Sequence, residues 1–90
     1  MTIDDIKDKV SSSVTIMPDE DDDSIAVLVN GTYTGYLYVT PEGVYFETWL
    51  RLTNQDDYYR LNAFLERFEF ELLICIRLNV SNYQIYRLIE

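Results

Sequence analysis

The first apolar positions of the chain, Ile3, Ile6 and Val10, are spaced i, i+3, i+7. This predicts a short helix over residues 2–11, with Thr2 and Asp5 as a capping pair. Ser11-Ser12-Ser13 interrupts it, and Val14-Thr15-Ile16-Met17 reads as a first strand. Pro18 and the five acids Asp19, Glu20, Asp21, Asp22 and Asp23 read as a solvated loop. Ile25 to Val29 is an apolar strand running into Asn30-Gly31, the strongest short hairpin signal. Two more strands, Tyr33–Val39 and Val44–Leu52, flank the turn Thr40-Pro41-Glu42-Gly43. Thr53 or Asn54 then caps a second helix, with Asp56 and Asp57 in the first turn where the helix dipole favours anions. Its apolar stripe is Tyr58, Leu61, Phe64, Leu65 and Phe68.

Past Phe68 the period changes from 3.6 to 2. Phe70, Leu72, Ile74, Ile76 and Leu78 alternate with Glu69, Glu71, Leu73, Cys75 and Arg77, the pattern of a strand buried largely on both faces. In the tail, Ser81 with Gln84 forms a capping box and Val80 with Ile85 a staple, which favours a final helix. A closing strand through Tyr83, Ile85, Arg87 and Ile89 is the rival reading. The fold class expected is a single α+β domain over residues 1–90. It is an antiparallel meander of four to five strands with an N-terminal helix and a central helix, the tail being either a last helix or a closing strand.

Pairing about the Pro-Glu-Gly turn sets Val39 opposite Val44 and Leu37 opposite Phe46, a core face under the second helix. On the other face Tyr38 meets Tyr45, Tyr36 meets Glu47, and Thr34 meets Trp49. Tyr36, Tyr38, Tyr45, Glu47 and Trp49, with Arg51 at the end, therefore form an aromatic surface mixed with charge. A two-residue turn at Asn30-Gly31 would add Ile25, Val27 and Val29 to that surface. A three-residue turn with a glycine bulge sends Ile25 and Val27 to the core instead, and is preferred because it yields one coherent core. The aromatic surface is either a contact patch, tyrosine and tryptophan being the usual interface anchors, or is covered by a terminal segment. The covered reading is favoured, since so small a domain needs the core it can bury.

Composition narrows the function. Apolar residues make up 48% of the chain, enough to fold without metal or disulfide support. No apolar run exceeds five residues, too short for a membrane-spanning helix, and the first residues lack the basic and apolar regions of a signal peptide. A cytoplasmic location is expected. The single cysteine, Cys75, excludes an internal disulfide and reads as a buried thiol. There is no histidine, no glycine-rich phosphate loop and no cysteine cluster, so neither catalytic residues, a metal site nor a cofactor is expected. Asp19, Asp21 and Asp23 have the spacing of calcium-loop ligands, but Ser24 stands where such a loop needs glycine and Asn30 where it needs glutamate.

Sixteen acids against seven bases give a net charge of −9, and residues 1–23 hold eight of the acids against two lysines. Such a chain is repelled by nucleic acids and anionic membranes and attracted to basic protein surfaces. The Asp19–Asp23 carboxylates are spaced so that they could stand in for nucleic-acid phosphates in a basic groove. The acidic first helix from Met1-Thr2-Ile3-Asp4-Asp5-Ile6, the Asp19–Asp23 loop, the meander from Ser24 to Leu52 and the acidic helix from Asn54 follow one another in order. In that order the chain resembles small acidic phage-encoded inhibitors, in particular anti-CRISPR proteins that mimic DNA. The strand at Phe70–Leu78 departs from the pattern. The resemblance implies a stoichiometric inhibitor that acts in the host cytoplasm and blocks the nucleic-acid groove of a defence nuclease. The alternative is a homodimeric structural or adaptor module joined through the Tyr36–Trp49 face.

Overall fold

The alternating stretch from Ser24 to Arg51 forms the middle of a single antiparallel sheet in a computed structural model, which describes residues 3–18 and 24–89. In chain order the elements are α1 (Ile3–Lys9), β1 (Val14–Pro18), β2 (Ser24–Val29), β3 (Thr32–Thr40), β4 (Gly43–Arg51), α2 (Gln55–Leu65), β5 (Phe70–Arg77) and β6 (Ser81–Leu88). Among the described residues the sheet has six strands in the order β1-β2-β3-β4-β6-β5, so the small α+β domain carries more strands than the four to five expected. Thr2 and the acidic segment Asp19–Asp23 lie outside the described residues.

Both helices lie on one face of the sheet. Asn54 caps α2 by accepting the Asp56 amide at 3.0 Å. The predicted stripe does the packing: Leu61 and Phe64 are buried, and α2 lies against β2, β3 and β4. Phe64 meets Phe46 of β4 with ring centroids 4.7 Å apart, and Phe68 and Phe70 extend the aromatic cluster. Ile6 of α1, Val14, Ile25, Val27, Val29, Leu37, Val44, Leu50 and Leu88 complete the core. The β3–β4 register is the predicted one, with Leu37 against Phe46 and Val39 against Val44, although Val39 stays half exposed.

The Asn30-Gly31 hairpin reaches the expected core by another route. The turn has two residues, Val29 pairing with Thr32, and both Asn30 (φ 52°) and Gly31 (φ 78°) are left-handed. The extra residue lies inside β3 instead: Leu28 pairs with Tyr33 but Val27 with Gly35, leaving Thr34 as a bulge. Ile25, Val27 and Val29 all face the core as a result. Thr34 does not stand beside Trp49; it is buried, and its carbonyl accepts the Thr48 hydroxyl at 2.6 Å. A Cβ on Gly35 would lie 2.6 Å from the Phe46 ring and 2.5 Å from the Glu47 carbonyl oxygen, so only glycine lets β3 and β4 approach there.

Three further expectations are corrected. The tail is the strand β6, not a helix. Leu78 donates its amide to Ser81 across an Asn79-Val80 turn, and β6 inserts between β4 and β5. Paired on both sides, its backbone is satisfied along its length, which an isolated helix of this size could not match in packing. Consequently β5 is an edge strand, and Leu72, Leu73, Ile74, Ile76 and Leu78 are exposed rather than buried on both faces. Among the described residues no helix reaches across to cover them. Cys75, in the same strand, is exposed for the same reason.

Candidate binding interface

Among the described residues, the second face of the sheet has neither helix nor terminal segment over it. α1 buries Ile6 in the core on the opposite side, and the tail extends the sheet rather than covering it. Trp49, which the covered reading would bury, is 47% exposed. That expectation is therefore overturned, and the aromatic surface is open.

Strand alternation builds it. Tyr36 of β3 pairs with Glu47 of β4, Glu47 with Ile85 of β6, and Ile85 with Ile74 of β5, a row across four strands. The next row holds Trp49, Tyr83 and Ile76. The rings touch in series: Tyr33 to Tyr36 at 6.2 Å between centroids, Tyr36 to Trp49 at 6.1 Å, Trp49 to Tyr83 at 4.7 Å, and Tyr38 edge-on to Tyr36 at 5.0 Å. Tyr45 lies farther along, in register between Tyr38 and Arg87, and Arg87 is ion-paired to Glu71. The predicted residues Tyr36, Tyr38, Tyr45, Glu47 and Trp49 are thus brought onto one face; Asp19, Glu20, Asp21, Asp22 and Asp23 lie outside the described residues.

Tyr33 and Tyr83 were not expected here. The Thr34 bulge reverses the facing of Tyr33, and Tyr83 joins only because the tail is a strand. Arg51, expected on this face, turns its guanidinium to Asp57 at the start of α2 instead, with bonds of 2.9 and 2.8 Å. Asp57 also accepts the Arg51 amide at 2.9 Å and pairs with Arg60 at 2.5 Å. The Arg51 guanidinium and amide hold the Asp57 carboxyl down at about 2 against the burial that opposes it. This clip fixes the β4–α2 corner and takes the Arg51 charge away from Glu47.

Glu47 is the charge at the centre of that face. The Tyr36 hydroxyl donates to its Oε1 at 3.2 Å, and among the described residues no lysine or arginine is paired with it. Burial, then the neighbouring Tyr36 and Glu47, push the Tyr33 phenol up to about 12. Burial and a bond to Glu47 raise Tyr83 to about 12, and burial with Tyr36 and Glu47 raises Tyr38 further. The three phenols, protonated at neutral pH as any tyrosine is, make a neutral, donor-rich wall around a carboxylate. Such a site can receive a cation: the ring faces attract it and the carboxylate bonds it.

Among the described residues no helix is long and apolar enough to cross a membrane, and no group of three metal-ligating side chains is assembled. Comparison with protein-family models, with curated proteins and with solved structures finds no match to the chain.

Proposed function

We propose that the protein is a small acidic binding module, without catalytic activity, whose working surface is the open aromatic face around Glu47. Its partner is a basic protein surface that presents an arginine or lysine to this face. The observation that supports the reading is the combination at one place: an exposed Trp49 and a carboxylate bonded to a tyrosine but, among the described residues, to no cation. Aromatic rings of this kind are the usual energetic anchors of interfaces, and a net charge of −9 steers a basic partner toward them. The resemblance to DNA-mimicking phage inhibitors is accommodated when that basic surface is the nucleic-acid groove of a nuclease.

Titration of the labelled protein with an arginine-rich peptide, followed by NMR, tests the reading. Shifts should centre on the Trp49 indole and the Tyr36, Tyr38 and Tyr83 rings, and Glu47→Gln should weaken binding about tenfold, the loss of roughly 1–2 kcal/mol for a charge-assisted bond. Shifts confined to α1 and the segment 19–23, unchanged by Glu47→Gln, would refute it. Competition by duplex DNA for the natural partner distinguishes groove blocking from association elsewhere.

A further inference from the structure

We propose that a second copy of this chain pairs along β5, joining two sheets edge to edge about a two-fold axis. The two edges of the sheet are built differently. β1 is five residues long, ends at Pro18 and is followed in sequence by five acids. Short length, proline and charge are the features that keep an edge from recruiting another strand. β5 is eight residues long, carries no proline or lysine and is paired on one side only, to β6.

Its side chains are apolar on both faces of the sheet. Leu72 is 50% exposed, Ile76 48% and Val80, in the turn, 70%, and Leu73, Ile74 and Leu78 are similar. Together they leave on the order of 500 Å² of apolar surface in one strip, at the top of what a monomer keeps uncovered. Edge pairing covers the part of this strip that faces outward in the plane of the sheet, less than a standard specific interface of about 1,200 Å², so main-chain hydrogen bonds along the strand supply the rest of the association.

Charge selects this edge for self-association. β5 holds one acid, Glu71, and one base, Arg77, a net charge of zero in a chain of net −9. β1, which the acids follow, is the opposite edge of the sheet. Five strand spacings of about 4.8 Å separate the two, more than two Debye lengths of about 8 Å at physiological salt. Acidic copies can therefore meet at β5, itself neutral, without opposing an excess of negative charge there.

The geometry of pairing follows from the hairpin. The Leu78 amide bonds to Ser81, so in the regular stretch after the irregularity at Leu73 the outward-turned amides and carbonyls are those of Cys75 and Arg77. An axis on Arg77 would oppose like charges, which leaves Cys75 or an adjacent isoleucine. In either case the two Cys75 residues come within about 10 Å of each other, from rises of about 3.4 Å and a strand spacing of about 4.8 Å. The two-fold axis is normal to the sheet, so both open aromatic faces lie on the same side.

Sedimentation equilibrium of the full chain from micromolar to millimolar concentration tests this, with Leu73→Lys and Ile76→Lys as edge variants. The wild type should sediment as a dimer, and a short bismaleimide should link its Cys75 thiols. Either lysine variant with an unchanged circular dichroism spectrum should be monomeric and unlinked, while Trp49→Ala should remain dimeric even though peptide binding is lost. A wild type that is monomeric throughout would overturn the proposal. So would a dimer that survives both lysine variants, or one abolished by Trp49→Ala alone.

Discussion

Trp49 of β4 and Phe64 of α2 are aromatic residues on opposite sides of the sheet, and truncating each to alanine should have very different consequences. Phe64 is fully buried between Phe46, Phe68 and Phe70. Phe64→Ala opens a cavity in the core and should cost about 3–5 kcal/mol. Trp49 is 47% exposed and touches only Tyr36 and Tyr83 among the rings. A tryptophan side chain offers up to about 250 Å², and roughly half of this one is already in water. Allowing for the part alanine retains, about 100 Å² of buried area is lost, about 2.5 kcal/mol at most at 25 cal/mol/Å². Tyr36 and Tyr83 can close over the gap from an open side, so the expected cost is about 1–2 kcal/mol. At this chain length each kcal/mol lowers Tm by about 4–8 °C. The difference of about 1–4 kcal/mol should separate the thermal melts of the two variants by about 4–32 °C, centred near 15 °C, with Trp49→Ala folded and cooperative. A Trp49→Ala loss as large as that of Phe64→Ala would mean that the face is covered.

The Asp57 clip makes a pH-dependent prediction. Its folded carboxyl lies near 2 against an ordinary 3.8, so its contribution is complete above about 3.8 and is lost as the pH falls toward 2. The shift corresponds to about 2 kcal/mol as an upper figure, since Arg51 sits largely in water. Denaturant melts of Asp57→Asn should show that deficit at neutral pH and converge with wild type near pH 2; a deficit independent of pH would contradict the clip. Gly35→Ala should destabilise by about 2–3 kcal/mol through overpacking against Phe46 and the Glu47 carbonyl, read in urea melts. A neutral Gly35→Ala would mean that β3 and β4 do not approach so closely.

Local signals carried the sequence reading wherever one interaction decided the outcome. The hairpin at Asn30-Gly31, the Pro41 turn with its register from Tyr36 to Val39 and the change of period at Phe68 all depend on neighbours in the chain, and the structure has each of them, although the first turn has two residues and not the preferred three. Where two long-range arrangements satisfied the same residues, the reading failed. Ser81 and Gln84 suit a helix cap, yet the strand wins because β4 and β5 pair with both of its edges. The apolar alternation of Phe70–Leu78 is that of a central strand, but position in the sheet, which no local pattern encodes, puts it at the rim. The surface around Glu47 was half visible for the same reason. Tyr36, Tyr38, Tyr45 and Trp49 follow from the Pro41 hairpin, whereas Tyr33 depends on the Thr34 bulge and Tyr83 on the tail. A β-branched residue just before Gly35 in a strand was the available hint of that bulge.

Trp49 is the only tryptophan in the chain, which makes its fluorescence a direct reporter of the face. Titrating wild type and Glu47→Gln with an arginine-rich peptide, at low and at high salt, tests whether this surface binds cations. The account predicts a saturable change in Trp49 emission for wild type that weakens with added salt and is much reduced in Glu47→Gln. Peptide binding, measured calorimetrically, that leaves Trp49 emission unchanged and is equal in the two proteins would contradict it.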